Sequence, residues 1–345
     1  MRAYDEQALV SGIRSGNRRA LARAITLAES TRAADMELAQ RLLQQLMPYT
    51  GSSVRLGITG VPGVGKSTFI EAFGLNVAAQ GKRVAVLAVD PSSPYTGGSI
   101  LGDKTRMTEL SRLEEVFIRP SPTGGTLGGV SRKTRESILL CEAAGYDVVI
   151  VETVGVGQSE YEVASMVDFF LMLMLPNAGD SLQGIKRGIM ELADLILVNK
   201  ADAGFEKRAD AARREYLNAL HLLRPKYPGY TTEVKLCSAL YNNGVADAWE
   251  HVLEYLERMR ADGHFARNRN RQLIHWTRRL TEELLLARLW ESPAVKKSWD
   301  EETGRIRIGD TTPVLAGQAL IEVFRQNSSA EQPLSPQANT TKTAD

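Results

Sequence analysis

Side chains that bind soft metals are scarce here: 345 residues include 2 cysteines and 4 histidines. Cys141 and Cys237 lie far apart, match no metal-ligand spacing and sit in apolar segments. Two free, mostly buried thiols in a reducing compartment are therefore expected. His221, His251, His264 and His275 are equally unclustered, which disfavours a His/Cys metal site. An excess of charge is also missing, since 42 Lys and Arg meet 41 Asp and Glu for a formal net charge of +1. That balance gives no reason to expect nucleic-acid or acidic-membrane binding. No apolar run approaches the ~20 residues of a membrane helix. The longest, Phe169–Leu175, suits a buried strand. The opening MRAYDEQALVSGIRSG scatters its charges and lacks the apolar stretch of a secretory signal. A soluble, cytoplasmic protein with no membrane partner is expected.

What is present is ordinary for a globular chain: 43% hydrophobic and 24% charged residues, enough for one large α/β domain with additions or for two domains. Residues 1–50 carry no strand signal. Leu9, Ile13, Ala20, Leu21, Ala24, Ile25 and Leu27 recur at helical spacing around a break at Gly16-Asn17. Another amphipathic stretch, with Met36, Leu38, Leu42, Leu43 and Leu46, stops before Pro48. These residues read as a helical N-terminal extension.

From residue 51 to 262 short apolar runs alternate with helical segments. Strands are expected at 54–60, 83–90, 116–120, 147–153, 168–175, 194–200 and 233–239. Most are apolar on consecutive residues, the pattern of strands covered on both faces of a parallel sheet. A doubly wound, mostly parallel α/β fold is expected, with ligands beyond the carboxyl ends of the strands. Residues 263–326 turn helical again. Leu273, Trp276, Leu280, Leu284 and Leu285 lie on one face there, with Arg267, Arg269, Arg271, Arg278 and Arg279 interspersed. Those arginines read as a solvated face or as a partner-binding one. A shorter helix with Leu315, Leu320, Ile321 and Phe324 follows. The polar tail, 327–345, has almost no apolar residues and is expected to be disordered.

The strongest chemical signal is Gly60-Val61-Pro62-Gly63-Val64-Gly65-Lys66-Ser67, a full G-x-x-x-x-G-K-[ST] phosphate loop between a strand and a helix. Its glycines let backbone N–H groups face phosphates at a helix N-terminus. Lys66 should reach the β- and γ-phosphates, the Ser67 hydroxyl should ligate Mg²⁺, and Thr68 can support the α-phosphate. Asn199-Lys200-Ala201-Asp202 fits N-K-x-D at a strand end. In GTPases with that motif the aspartate accepts from the guanine N1–H and amine, and facing adenine it would be an unpaired acceptor. Asn199 would tie this loop to the phosphate loop, and the Lys200 stem would cover the base. Ser238-Ala239-Leu240 resembles the loop that contacts guanine O6. GTP is favoured over ATP.

Acidic groups at other strand ends suit a hard cation. Asp90 ends the strand at 83–90, and Asp103 lies in the Gly-rich GGSILGDKTRM, a metal or switch residue there or a surface-loop acid. Glu152-Thr153-Val154-Gly155 occupies the position of D-x-x-G in other GTPases. Gly155 can give its N–H to the γ-phosphate, so that loss of phosphate releases the loop that follows. Gln158 is a water-positioning candidate or a polar loop residue. The pliable stretch 176–187 places Lys186 near the nucleotide or a partner.

Beyond these short motifs, DPSSPYTGGSILGDKTRM, GGVSRKTRE, VETVGVGQSE and AGDSLQGIKRG resemble the MeaB/ArgK family of GTPases over roughly residues 5–325. That resemblance implies a P-loop GTPase of the SIMIBI class using GTP/GDP and Mg²⁺. It implies a homodimer, held largely through the helical C-terminal arm, that binds an adenosylcobalamin-dependent acyl-CoA mutase. GTP would gate cofactor loading and protect or reactivate the mutase. Carried over, Gly60 to Thr68 hold phosphates, and Ser67, Asp90, Asp103 and Glu152 serve magnesium and the switches. Asn199, Lys200, Asp202, Ser238, Ala239 and Leu240 read guanine, and 177–187 is a third switch. The alternatives are a kinase of a small molecule or transport protein, and a nickel-type metallochaperone, which the scarce His and Cys disfavour.

Overall fold

The computed structural model describes residues 5–90, 107–122, 127–153, 159–176, 187–227 and 229–328. Asp103, Gly155, Gln158, Lys186, the 177–186 stretch and the tail from 329 lie outside the described residues, as does the side chain of Asp90. Two compact units divide the chain, Met1–Ile274 and His275–Asp345.

Three helices open the first unit: α1 (Glu6–Arg14), α2 (Arg18–Glu29) and α3 (Ala33–Leu46). Asp5 caps α1 by accepting from the Ala8 N–H at 3.1 Å, and Asn17 caps α2 through the N–H groups of Arg19 and Ala20. Such caps satisfy donors that have no partner within the helix. The helical-period residues Leu9, Ile13, Leu21, Ile25, Leu42 and Leu46 are buried, as their spacing predicts. Beyond a short turn at Met47–Tyr49 the α/β body follows: β1 (Val54–Gly60), α4 (Lys66–Ala79), β2 (Val84–Asp90), α5 (Thr108–Arg112), β3 (Val116–Pro122) and α6 (Leu127–Ala143). It continues as β4 (Val148–Thr153), α7 (Ser159–Ala164), β5 (Phe169–Met174), α8 (Arg187–Met190), β6 (Leu195–Val198), α9 (Glu206–His221), β7 (Glu233–Leu236) and α10 (Val245–Ala261).

The seven strands form one sheet in the order β3-β2-β4-β1-β5-β6-β7, and every pairing is parallel. Consecutive apolar residues in β4, β5 and β6 are buried along their whole length, which is why these strands show no alternation. Phe69, Phe73 and Val77 of α4 pack with Val245, Trp249 and Val252 of α10 in one core, Trp249 meeting Phe73 edge-on at 5.8 Å. Because β1 is central, with β4 and β5 beside it, its carboxyl end opens where the strand order reverses, the place for a ligand in such sheets. Both cysteines are free and buried.

The opposite edge of the sheet is closed by ion pairs. Arg269, in α11 (His264–Glu291), donates to both carboxylate oxygens of Asp168, at 2.8 and 2.7 Å. It also reaches the carbonyls of Gly51 and Ser53. Asp168 accepts the Arg55 N–H at 2.8 Å, and the Arg55 guanidinium pairs with Glu142 through two bonds. Gln272 donates to the Val167 carbonyl at 2.7 Å. The sequence made Arg269 one of several arginines on a solvated or partner-binding face, yet its side chain is 12% exposed. A charge run along a helix does not reveal which residue meets a buried carboxylate. The first half of α11 thus belongs to unit Met1–Ile274, and the division falls within this helix, beyond Gly263.

The second unit contains the rest of α11, then α12 (Pro293–Arg307) and α13 (Pro313–Ser328). Trp290 and Trp299 meet edge-on at 5.2 Å. Many apolar groups of this unit are uncovered: Leu284, Leu285 and Leu286 are 53%, 57% and 54% exposed.

Arg269→Ala leaves the Asp168 carboxylate buried without its main counter-charge. The variant is expected to lose roughly 3–5 kcal/mol of unfolding free energy, measured by denaturant titration; a loss under about 1 kcal/mol would mean the pair carries little.

Candidate nucleotide site

Four strands deliver loops to the carboxyl edge of the sheet. β1 enters the turn Gly60 to Lys66, which starts α4. A Cβ on Gly60 would lie 2.6 Å from the Leu173 carbonyl oxygen, so the residue must be glycine for β1 and β5 to stay paired. Gly65 has φ +94°, the left-handed conformation that glycine adopts at little cost, and a Cβ there would meet the Asn199 amide at 3.0 Å. Val64 is fully buried and fixes the loop to the core. Lys66 donates to the Gly60 carbonyl at 2.9 Å, folding back across its own loop. Ser67 is half-buried beside it, and Thr68 is exposed. The cradle is thus glycine where a side chain would intrude, and it presents a cation and a hydroxyl at a helix N-terminus. That composition fits a phosphate chain.

β4 brings Glu152 to the same level, in register with Ile58 of β1 and Ala88 of β2, and leaves it 8% exposed. Next to it, the Thr153 hydroxyl donates to Thr59 at 2.8 Å, bracing the ends of β4 and β1. The backbone of Asp90 ends β2.

β6 ends at Val198, and the following residues turn toward the phosphate loop. Asn199, 2% exposed, donates to the Val64 carbonyl at 2.8 Å and accepts the Ala239 N–H at 3.0 Å. The Cys237 thiol also approaches its oxygen, at 3.5 Å. Burial, then the charge of Asp202, pushes that thiol up to about 12, so it stays a neutral donor. Lys200 donates to the Gly63 carbonyl at 2.9 Å, and its backbone sits at φ +61°. A left-handed lysine is an uncommon conformation, of the kind concentrated at ligand sites. Ser238 donates to the Asp202 carboxylate and so fixes its direction.

β7 ends at Leu236 rather than Ala239 because the chain there turns into a small hairpin. Ser238 and Asn243 exchange backbone hydrogen bonds of 2.9 and 3.0 Å, leaving Ala239 to Asn242 as its tip. Leu240 is 71% and Tyr241 60% exposed. The structure therefore gathers Gly60 to Thr68, Glu152, Asn199, Lys200, Asp202, Ser238, Ala239 and Leu240 at one edge. Sequence reasoning missed Thr59, Thr153 and Cys237, whose roles come from partners distant in the chain. Among the described residues no cluster of His, Cys, Asp or Glu forms a ready-made metal site.

The fold and this edge define a P-loop nucleotide-binding protein with a second loop bonded directly to the phosphate loop. A family model described as methylmalonyl-CoA mutase-associated GTPase MeaB matches residues 21–294. The chain belongs to this family of GTP-binding proteins. A probable GTPase of Mycobacterium tuberculosis is 51% identical over 315 residues, covering 91% of this chain and 94% of the relative. The mitochondrial methylmalonic aciduria type A homolog of Mus musculus is 44% identical over 327 residues, covering 92% and 79%. A crystal structure described as a LAO/AO transport system kinase superposes with a TM-score of 0.76 at 40% identity, covering 94% of this chain and 99% of that one.

The direction of the Asp202 carboxylate yields a prediction. Asp202→Asn is expected to turn nucleotide preference from GTP toward xanthosine triphosphate, whose base offers the complementary group. Competition binding with both nucleotides checks this, and unchanged GTP affinity would contradict the role of Asp202.

Proposed function

We propose that this protein is a GTP-hydrolysing chaperone of an adenosylcobalamin-dependent acyl-CoA mutase, methylmalonyl-CoA mutase or a close relative. The observation that carries the nucleotide part is the Asn199 junction, which holds a phosphate cradle and an oriented Asp202 carboxylate in one site. The mutase part rests on family membership and on the names that the family and the mouse relative bear.

In this reading the backbone N–H groups and Lys66 bind the phosphates, with Lys66 exchanging the Gly60 carbonyl for phosphate oxygen. Ser67, Asp90, Asp103 and Glu152 would hold Mg²⁺, whose oxygen preference their chemistry fits. Bound there, the ion would offset the negative charge of the phosphates. Glu152 is held at the right edge of the sheet by β4, and Thr153 fixes its backbone against β1. Gly155 and the 177–187 stretch with Lys186 are the proposed switches, ordered by GTP and by the mutase respectively. Asn199, Lys200, Asp202, Ser238, Ala239 and Leu240 select guanine. Hydrolysis is proposed to be slow alone and faster on the mutase, which supplies order to the switch segments.

The kinase name borne by the 40% identical structure favours a second reading, a phosphotransferase. Labelled γ-phosphate separates the two. The chaperone releases it as inorganic phosphate, severalfold faster with the cognate mutase present. Label transferred to an acceptor, or a rate indifferent to every acyl-CoA mutase of the host, would overturn the proposal.

We also propose a homodimer formed through the helical arm, 263–326, supported by the exposed leucines 284, 285 and 286. Exposed apolar area of this kind is usual at subunit contacts. Sedimentation should give twice the monomer mass, and Leu285→Glu with Leu286→Glu should give monomers at micromolar concentration. A monomeric wild type would contradict it. No described helix is long and apolar enough to cross a membrane, and the proposal assigns no membrane or nucleic-acid partner.

A further inference from the structure

The base-reading hairpin is held on its entering strand, by Asn199 at Ala239 and by Asp202 at Ser238. Its tip has a different tie. Asn242 faces Asn76, which lies on α4, the helix that begins at the phosphate loop. Their amides form a reciprocal pair. Asn76 Nδ2 donates to Asn242 Oδ1 at 2.8 Å, and Asn242 Nδ2 donates back to Asn76 Oδ1 at 3.3 Å. The two residues are 166 positions apart in sequence, so no local turn chemistry accounts for the pair.

Backbone geometry supports the contact on the hairpin side. Asn242 sits at φ +55°, a left-handed conformation that asparagine tolerates better than most residues. Just beyond it, Gly244 has φ +70°, and a Cβ there would lie 2.7 Å from the Leu236 carbonyl oxygen. The hairpin thus turns sharply back into α10, with its tip against α4. Trp249 of α10 then donates to Gln80 at 3.0 Å, so the two helices stay in one relation below the tip.

We propose that Asn76 and Asn242 are positioning residues for the purine base. By fixing the tip of the hairpin to the phosphate-loop helix, they set the distance between the phosphate cradle and the group that reads the base, the Asp202 carboxylate oriented by Ser238 of the hairpin. Neither asparagine touches the nucleotide in this account. They hold the hairpin that does, and so act on base selection rather than on phosphate binding. This inference rests on the guanine reading of Asp202 and deepens it.

The test uses calorimetric titration of the full chain with GDP and with ADP. A reciprocal pair whose loss costs a typical net hydrogen bond should weaken GDP binding about three- to tenfold in Asn76→Ala. ADP, which does not use the base-reading atoms, should bind as in the wild type. Asn242→Gly keeps the left-handed backbone while removing the amide, and should reproduce the effect. The Asn76→Ala, Asn242→Gly double variant should be no weaker than either single one, because both remove the same contact. Asn76→Asp retains an acceptor for the Asn242 amide and should recover part of the GDP affinity. A GDP-to-ADP ratio within twofold of wild type in both single variants would overturn the proposal, as would equal losses for the two nucleotides. Asp202→Asn serves as the separating control. If it shifts preference toward xanthosine diphosphate while the asparagine variants do nothing, guanine reading stands and the tether falls. If it shifts nothing, the guanine reading itself fails.

Discussion

The buried side chain of Asn199 is the joint on which the nucleotide site depends. One amide donates to the phosphate loop at Val64 and accepts from the hairpin at Ala239. Neither partner is reached by water there, so removing the amide would leave a buried carbonyl and a buried N–H unsatisfied, at about 1–3 kcal/mol each. Gly65 must be glycine partly because this amide lies so near it. Three segments, after β1, β6 and β7, are thereby bonded into a single surface by the protein's own groups. Preorganisation of that kind is what lets binding energy go into selecting the ligand rather than assembling its site.

The rest of the fold can be understood as holding those strand ends still. Parallel strands put all their carboxyl ends on one side, and the central place of β1 brings β4 and β5 beside the phosphate loop. At the other edge the Arg269–Asp168 pair and the Arg55–Glu142 pair anchor the beginnings of β1 and β5. Another buried carboxylate, Asp194 at the start of β6, is paired with Lys226 and accepts the Phe170 N–H. Burial raises its proton affinity above the ordinary range, against the pull of Lys226. Such pairs fix the beginnings of neighbouring strands relative to one another, so the parallel strands present their carboxyl ends at a constant level.

Much of this was legible in the sequence because it is written in local patterns. The seven apolar runs, the phosphate loop and the N-terminal helical spacing each depend on residues close in the chain. The ends of β6 and β7 were placed too late. Lys200 and Cys237 look like strand residues, but Lys200 adopts a left-handed turn and Cys237 leads into the hairpin. Helix α12 lies within the stretch 263–326 expected to be helical, but it carries scattered lysines and arginines with few apolar residues, so no apolar spacing marked its own bounds. Arg269 could not be told from Arg267 or Arg271, because only the tertiary structure brings it to Asp168. The Asn76–Asn242 pair was invisible for the same reason.

Hydrogen–deuterium exchange on the full chain, with and without GDP, tests the central claim most directly. If one guanine nucleotide spans the site, GDP should slow exchange together in the phosphate loop, residues 60–68, and in the hairpin, residues 238–243. ADP should protect the phosphate loop without the hairpin. Protection confined to the phosphate loop with GDP, or the same pattern for both nucleotides, would contradict a base-reading site built on the Asn199 joint.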